Sequence, residues 1–177
     1  MRIIAGERRG ARISAPKGLA TRPSGDRTRE AAFNLIGPVD DAAVLDLFSG
    51  SGAMGLEALS RGARRCVFVE SDRAACAVIR ANLEKLRLTG AIVLCQDAFQ
   101  ALREERAAGR HYDLIVVDPP YDAWPELEPR LADALPPLLT DDGLLVAETS
   151  SRLEPTLPLN VVTSRRYGSA RITLFTG

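Results

Sequence analysis

Val44-Leu45-Asp46-Leu47-Phe48-Ser49-Gly50-Ser51-Gly52-Ala53-Met54-Gly55 is the stretch that decides the fold class. An apolar run broken by one carboxylate leads into three glycines at G-x-G-x-x-G spacing. A strand over residues 43–48 and a helix over residues 51–60 are the expected pair. Glycines at that junction permit a tight turn and let the backbone approach a ligand. Glu70 closes the next apolar run, 18 residues beyond Gly52. A carboxylate there is placed to accept hydrogen bonds from two ribose hydroxyls.

The same alternation continues downstream. Strands are expected over 66–69, 92–94, 112–117 and 143–148. Helices are expected over 72–88, capped by Asp72, and over 98–108, with a Pro-punctuated helical stretch over 124–139. Residues 161–167 and 170–175 read as an antiparallel hairpin around Gly168-Ser169. Residues 150–159 show little helical pattern, so the last crossover helix is expected to be missing or vestigial. Upstream, two short strands, 2–4 and 11–15, flank a turn at 7–10. A loop over 17–25 follows, and then a helix capped by Asp26 and stopped by Gly37-Pro38. The implied fold is an α/β, doubly wound, mostly parallel seven-stranded sheet with a C-terminal antiparallel hairpin. A short N-terminal hairpin and helix extension, residues 1–40, precedes a main domain over 41–177. Ligands in such sheets sit beyond the carboxyl ends of the strands.

Composition fits this reading. The chain has 177 residues, 46% hydrophobic and 26% charged, enough for one domain and unlike a disordered or disulfide-stapled chain. No apolar run approaches the ~20 residues of a membrane span, and the N-terminus lacks a secretory signal. Cys66, Cys76 and Cys95 show no C-x-x-C spacing and the chain has one histidine, so no metal site is expected. Three buried or half-buried thiols in a reducing cytoplasm are the simpler expectation. Net charge is zero, yet residues 1–30 hold eight basic groups against three acidic ones. The rest of the chain is therefore net negative, and a basic arm on an acidic body points to a polyanion partner.

Asp46 narrows the choice of cofactor. A diphosphate repels a nearby carboxylate, whereas a cationic ligand is attracted by it. The pattern D-x-x-x-G-x-G, Asp46 to Gly52, is similar to the first motif of class I methyltransferases, whose donor S-adenosylmethionine carries a sulfonium and an ammonium group. A nicotinamide oxidoreductase is the rival reading of the glycines, but no Tyr-x-x-x-Lys pairing accompanies them. Asp118-Pro119-Pro120-Tyr121 ends the fourth strand and resembles the catalytic motif of methyltransferases that act on planar amines. An exocyclic amine conjugated to a purine ring is a poor nucleophile. The Asp118 carboxylate and the Pro119 carbonyl can hold its two N–H groups and place the nitrogen for attack. Pro120 stiffens the loop and Tyr121 can stack on the base. Asp97 with the backbone of Ala98 can read an adenine ring, or Asp97 can simply cap the next helix. Trp124 is placed to stack on a base or to open a helix; His111 is expected at the surface.

Beyond these motifs, Arg2-Ile3-Ile4-Ala5-Gly6, Arg9-Gly10-Ala11-Arg12 and the segment from Arg22-Pro23-Ser24-Gly25-Asp26-Arg27-Thr28-Arg29 to Leu35-Ile36 resemble the N-terminal signature of RsmD-type methyltransferases. The resemblance covers nearly the whole chain. It implies a class I, Rossmann-like methyltransferase that uses S-adenosylmethionine to methylate a guanine N2 in 16S ribosomal RNA within a small-subunit assembly particle. It also implies a cytoplasmic enzyme, expected to be monomeric and without membrane or metal partners. Asp46, Phe48, Gly50 and Gly52 would hold the methionine end of the cofactor, Glu70 its ribose, and Asp97 and Ala98 its adenine. Asp118, Pro119, Pro120 and Tyr121 would hold the target base. Arg8, Arg9, Arg12, Arg22, Arg27 and Arg29 would grip RNA phosphates. The Asp-Pro-Pro-Tyr motif also occurs in adenine-N6 DNA methyltransferases, the alternative activity, but 177 residues leave no room for a separate target-recognition domain.

Overall fold

A computed structural model describes residues 1–16 and 25–177. Among the described residues, seven strands form one sheet: β1 (Ala43–Leu47), β2 (Arg65–Glu70), β3 (Ala91–Cys95), β4 (Tyr112–Val117), β5 (Leu139–Ser150), β6 (Asn160–Tyr167) and β7 (Ala170–Thr176). Their spatial order is β3-β2-β1-β4-β5-β7-β6. The first five pair in parallel, and β7 lies antiparallel between β5 and β6. Helices α1 (Gly25–Ile36), α2 (Ala53–Ser60), α3 (Arg73–Leu86), α4 (Ala98–Ala107) and α5 (Trp124–Ala134) cover the sheet.

Every side chain of β1 is buried, because strands in the middle of such a sheet are covered on both faces. Alternate residues of β1 therefore feed two cores. Val44 joins Phe33, Leu56, Ile79 and Leu83 beneath α1–α3, while Leu45 and Leu47 join Phe99, Leu102 and Leu131 beneath α4 and α5. Crossovers in this arrangement return each helix antiparallel to its strands, so helix C-termini gather at the sheet edge opposite the strand ends. Asp72 caps α3 by accepting from Ala75 N–H at 2.7 Å, as its sequence position suggests.

Some boundaries differ from the expected ones. α1 begins at Gly25, which puts Asp26 in its first turn instead of at its cap. α2 begins at Ala53, because Gly52 with φ 76° is its cap. β5 begins at Leu139, four residues before Gly143, through a displaced pairing of Leu139 with Tyr112. No helix joins β5 to β6; Leu153, Leu157 and Leu159 pack on the second core in its place. The N-terminal strands shrink to a single bridge, Arg2 to Arg12, because nearby backbone groups bond to α2 instead. Cys66 and Cys76 are buried as expected, but Cys95 is exposed, since β3 is an edge strand. His111 is exposed, and no helix is long and apolar enough to cross a membrane, among the described residues.

Candidate active site

The loop after β1 is drawn tight by its own polar groups. Ser49 Oγ donates to Asp46 O at 2.6 Å and accepts from Val69 N–H at 3.0 Å, tying β1 to β2. Gly50 N–H donates to Glu70 Oε2 at 2.8 Å, and Asp72 N–H to Glu70 Oε1 at 2.8 Å. Phe48, Gly50 and Gly52 all have positive φ, 58°, 54° and 76°. Left-handed backbone is open to glycine but strained for phenylalanine, a type of strain that clusters at ligand sites. Gly55 is required for a different reason: a Cβ there would sit 2.3 Å from the Phe68 ring, so α2 packs on β2 only without one.

Asp46 points into this turn. It is 2% exposed and accepts one hydrogen bond, from Gly55 N–H at 3.0 Å. Burial, with a smaller contribution from the charge of Glu70, pushes its carboxyl from 3.8 up to about 7; the Gly55 bond opposes the rise. Among the described residues Asp46 has no ion-pair partner. A buried carboxylate without a counter-ion fits a ligand that brings a positive charge and disfavours a diphosphate.

Asp97 lies two strands away from β1, at the exposed end of β3, and caps α4 by accepting from Phe99 and Gln100 N–H, each at 3.0 Å. Both roles considered for it remain compatible, since a carboxylate takes several donors. Ala98 is buried at the first turn of α4.

β4 adjoins β1, so the Asp118–Tyr121 motif emerges beside the glycine loop; Asp118 N–H reaches Leu47 O at 3.5 Å. Asp118 and Tyr121 are half-buried, Pro119 is buried and Pro120 exposed. Tyr121 Oη donates to Glu148 Oε1 at 2.9 Å. Glu148 lies on β5, one strand over and two residues before its end, and was absent from the sequence-derived site. Trp124 is fully buried in the second core and donates to Glu128, so it opens a helix and does not stack on a ligand.

The basic arm is only partly available. Arg29 is 4% exposed; it donates to Arg2 O and Asp26 and pairs with the fully buried Glu57. It is a structural residue, which corrects its assignment to RNA. Arg8 Nε caps the C-terminus of α3 at Leu86 O, 2.5 Å, and Glu7 N–H bonds Ser60 O at the end of α2. The hairpin tip therefore lies at the sheet edge away from Asp118, and the guanidinium of Arg8 is tethered there. Arg9, Arg12 and Arg27 are exposed. Arg22 lies outside the described residues.

A family model described as conserved hypothetical protein 95 matches residues 1–176. The chain belongs to that family. YlbH of Bacillus subtilis strain 168 is 37% identical over 185 residues, 99% of this chain and 98% of that one. Ribosomal RNA small subunit methyltransferase D of Escherichia coli strain K12 is 37% identical over 168 residues, 90% of this chain and 80% of that one. The solved structure of a hypothetical protein from Thermus superposes with a TM-score of 0.86 at 32% identity, covering 100% of this chain and 99% of that chain. The resemblance read from the N-terminal signature and the two motifs is borne out, as is the fold.

Proposed function

We propose that the protein transfers a methyl group from S-adenosylmethionine to the exocyclic N2 of a guanine in small-subunit ribosomal RNA. The observation that carries this reading is adjacency. The cationic-ligand loop of β1 and the amine-holding motif of β4 leave neighbouring parallel strands at one edge. When bound, the cofactor supplies an electrophilic methyl on a cationic sulfur. Asp46, Phe48, Gly50 and Gly52 bind its methionine end, Glu70 its ribose, and Asp97 with Ala98 its adenine.

The chain then handles the amine. The Asp118 carboxylate and the Pro119 carbonyl accept its two N–H groups, which turns the nitrogen lone pair toward the methyl group. Pro120 fixes the backbone and Tyr121 covers the base. The target guanine leaves its stack to reach this pocket, as bases do in other modifying enzymes. Exposed Arg9, Arg12 and Arg27 contact phosphates of the RNA. The substrate is an assembling small-subunit particle in the cytoplasm, where such RNA is exposed before it is packed. Kinship with a ribosomal RNA methyltransferase supports RNA over DNA.

The test uses small-subunit particles from a strain lacking this gene, labelled S-adenosylmethionine and the purified protein. Digestion and mass spectrometry are expected to find label in N2-methylguanosine at one position. Label in N6-methyladenosine, or none above background, would overturn the reading.

A further inference from the structure

We infer that Glu148 is the residue that selects guanine over adenine. The inference rests on the function proposed above and assigns base choice to a group outside the Asp118–Tyr121 motif. That motif reads only an amine and two faces of a ring, features that adenine and guanine share. Something beside the amine must tell them apart.

The two bases differ at the ring atom next to the amine. Beside its N2 amine guanine carries N1–H, a donor. Beside its N6 amine adenine carries N1, an acceptor. A carboxylate flanking the amine pocket accepts from the first and repels the lone pair of the second. A site built to hydrogen-bond one group rejects the analogue lacking it far better than a shape filter does.

Glu148 has the required place. The pairing of Val117 with Ala147 sets the next residues, Asp118 and Glu148, side by side: Asp118 just past the end of β4, Glu148 on β5, which runs on to Ser150. Glu148 is half-buried, and its Oε1 is held by the Tyr121 hydroxyl at 2.9 Å. That bond gives the carboxylate a fixed orientation beside the ring that covers the base. A carboxylate has about four acceptor sites, so the Tyr121 bond is compatible with a second donor. β7 backs the strand that carries it, pairing Glu148 with the fully buried Ile172. The group is thus mounted on rigid sheet and not on a loop, which suits discrimination that depends on ångström-scale placement. Asp118 holds the N2 amine while Glu148 accepts from N1–H, and the two carboxylates together match the donor pair on the guanine edge.

The probe is 2-aminopurine, which keeps the C2 amine but has a bare N1 acceptor. Guanine or 2-aminopurine is placed at the position methylated by the parent enzyme, in otherwise identical RNA, and single-turnover transfer is measured. The parent is expected to favour guanine by roughly 10- to 100-fold, the scale of one charged hydrogen bond. Glu148→Gln keeps an acceptor for Tyr121 and gains a donor for the bare N1. Its preference should fall to within about threefold of unity. Melting temperature and S-adenosylhomocysteine affinity, measured alongside, should match the parent. A Gln variant with the parental preference, or one inactive on both bases, overturns the role of Glu148. A parent that methylates no guanine overturns the proposed function itself.

Discussion

Replacing Glu57 should do more damage than replacing any surface carboxylate. Glu57 lies on α2 with no exposed area. Its carboxylate accepts from Ile4 N–H at 2.8 Å, Ala5 N–H at 2.9 Å and Arg61 Nε at 2.8 Å, with Arg29 Nε at 3.5 Å. One side chain thus joins the N-terminal segment, α1 and α2. Removing one partner of a buried ion pair costs about 3–5 kcal/mol, because the other charge stays buried. Glu57→Gln keeps the shape and part of the accepting capacity, so a loss near 3 kcal/mol is expected. Glu57→Ala also orphans two backbone N–H groups and should approach 5 kcal/mol. Against a total of roughly 5–15 kcal/mol, the alanine variant is close to unfolding at physiological temperature. Urea titration followed by circular dichroism reads this as a lower midpoint at unchanged slope. Arg29→Met should cost about 3 kcal/mol by the same route and leave the salt dependence of RNA binding unchanged. If both Glu57 variants lose under about 1 kcal/mol, the clasp is not what holds the arm. If Arg29→Met is stable and flattens the salt slope, its assignment to RNA was right after all.

Asp46 gives a pH signature. Its folded carboxyl titrates near 7 against 3.8 in the unfolded reference, so the folded state holds the extra proton between those values. Unliganded stability should therefore fall as pH rises from about 4 to about 7 and level off above, and Asp46→Asn should flatten that slope; a flat parental profile would refute it. Asp118→Ala should leave stability within about 1 kcal/mol and slow transfer by roughly 10²–10³, read by single-turnover rates; parental rates would move the active site elsewhere. Removing Arg9, Arg12 and Arg27 together should reduce the salt slope of RNA binding by about one unit per lost phosphate contact, whereas Arg8→Ala should not; equal slopes in all proteins would refute the division.

The parallel body was legible because its signals are local. β4 falls on the residues expected, 112–117, since the near-continuous apolar run, broken only by Asp113, suits a strand buried on both faces. The glycine loop and the Asp118 motif declare themselves by spacing alone. What escaped the sequence depends on pairs far apart in it. Arg29 and Glu57 are 28 positions apart, and each has an ordinary surface-like partner nearby, Asp26 at i−3 and Arg61 at i+4. Only the packing of α1 on α2 reveals them as buried. Glu148 was hidden for a similar reason: the strand expected over 143–148 closes on a carboxylate, but that it faces Tyr121 follows from strand order. Strand order would have been the one usable signal, since β4 and β5 neighbour one another in most sheets with this alternation.

Of the seven strands described, the one latest in the chain is not an edge strand. β7 is flanked by β5 and β6, and it places Ile172, Leu174 and Phe175, each at most 1% exposed, into both cores. Until it is synthesised, β6 has no partner in the sheet and β5 shows an open edge over residues 144–150, apolar from Leu144 to Ala147. Such an edge is a template for mispairing with another chain. Vectorial synthesis thus delivers the cofactor-loop half first and the keystone strand after the other six. A nascent chain stalled between residues 149 and 169 holds all of the candidate site's groups and an incomplete sheet to carry them. Holdase chaperones should bind such stalled chains through β5 and release them once β7 closes the gap.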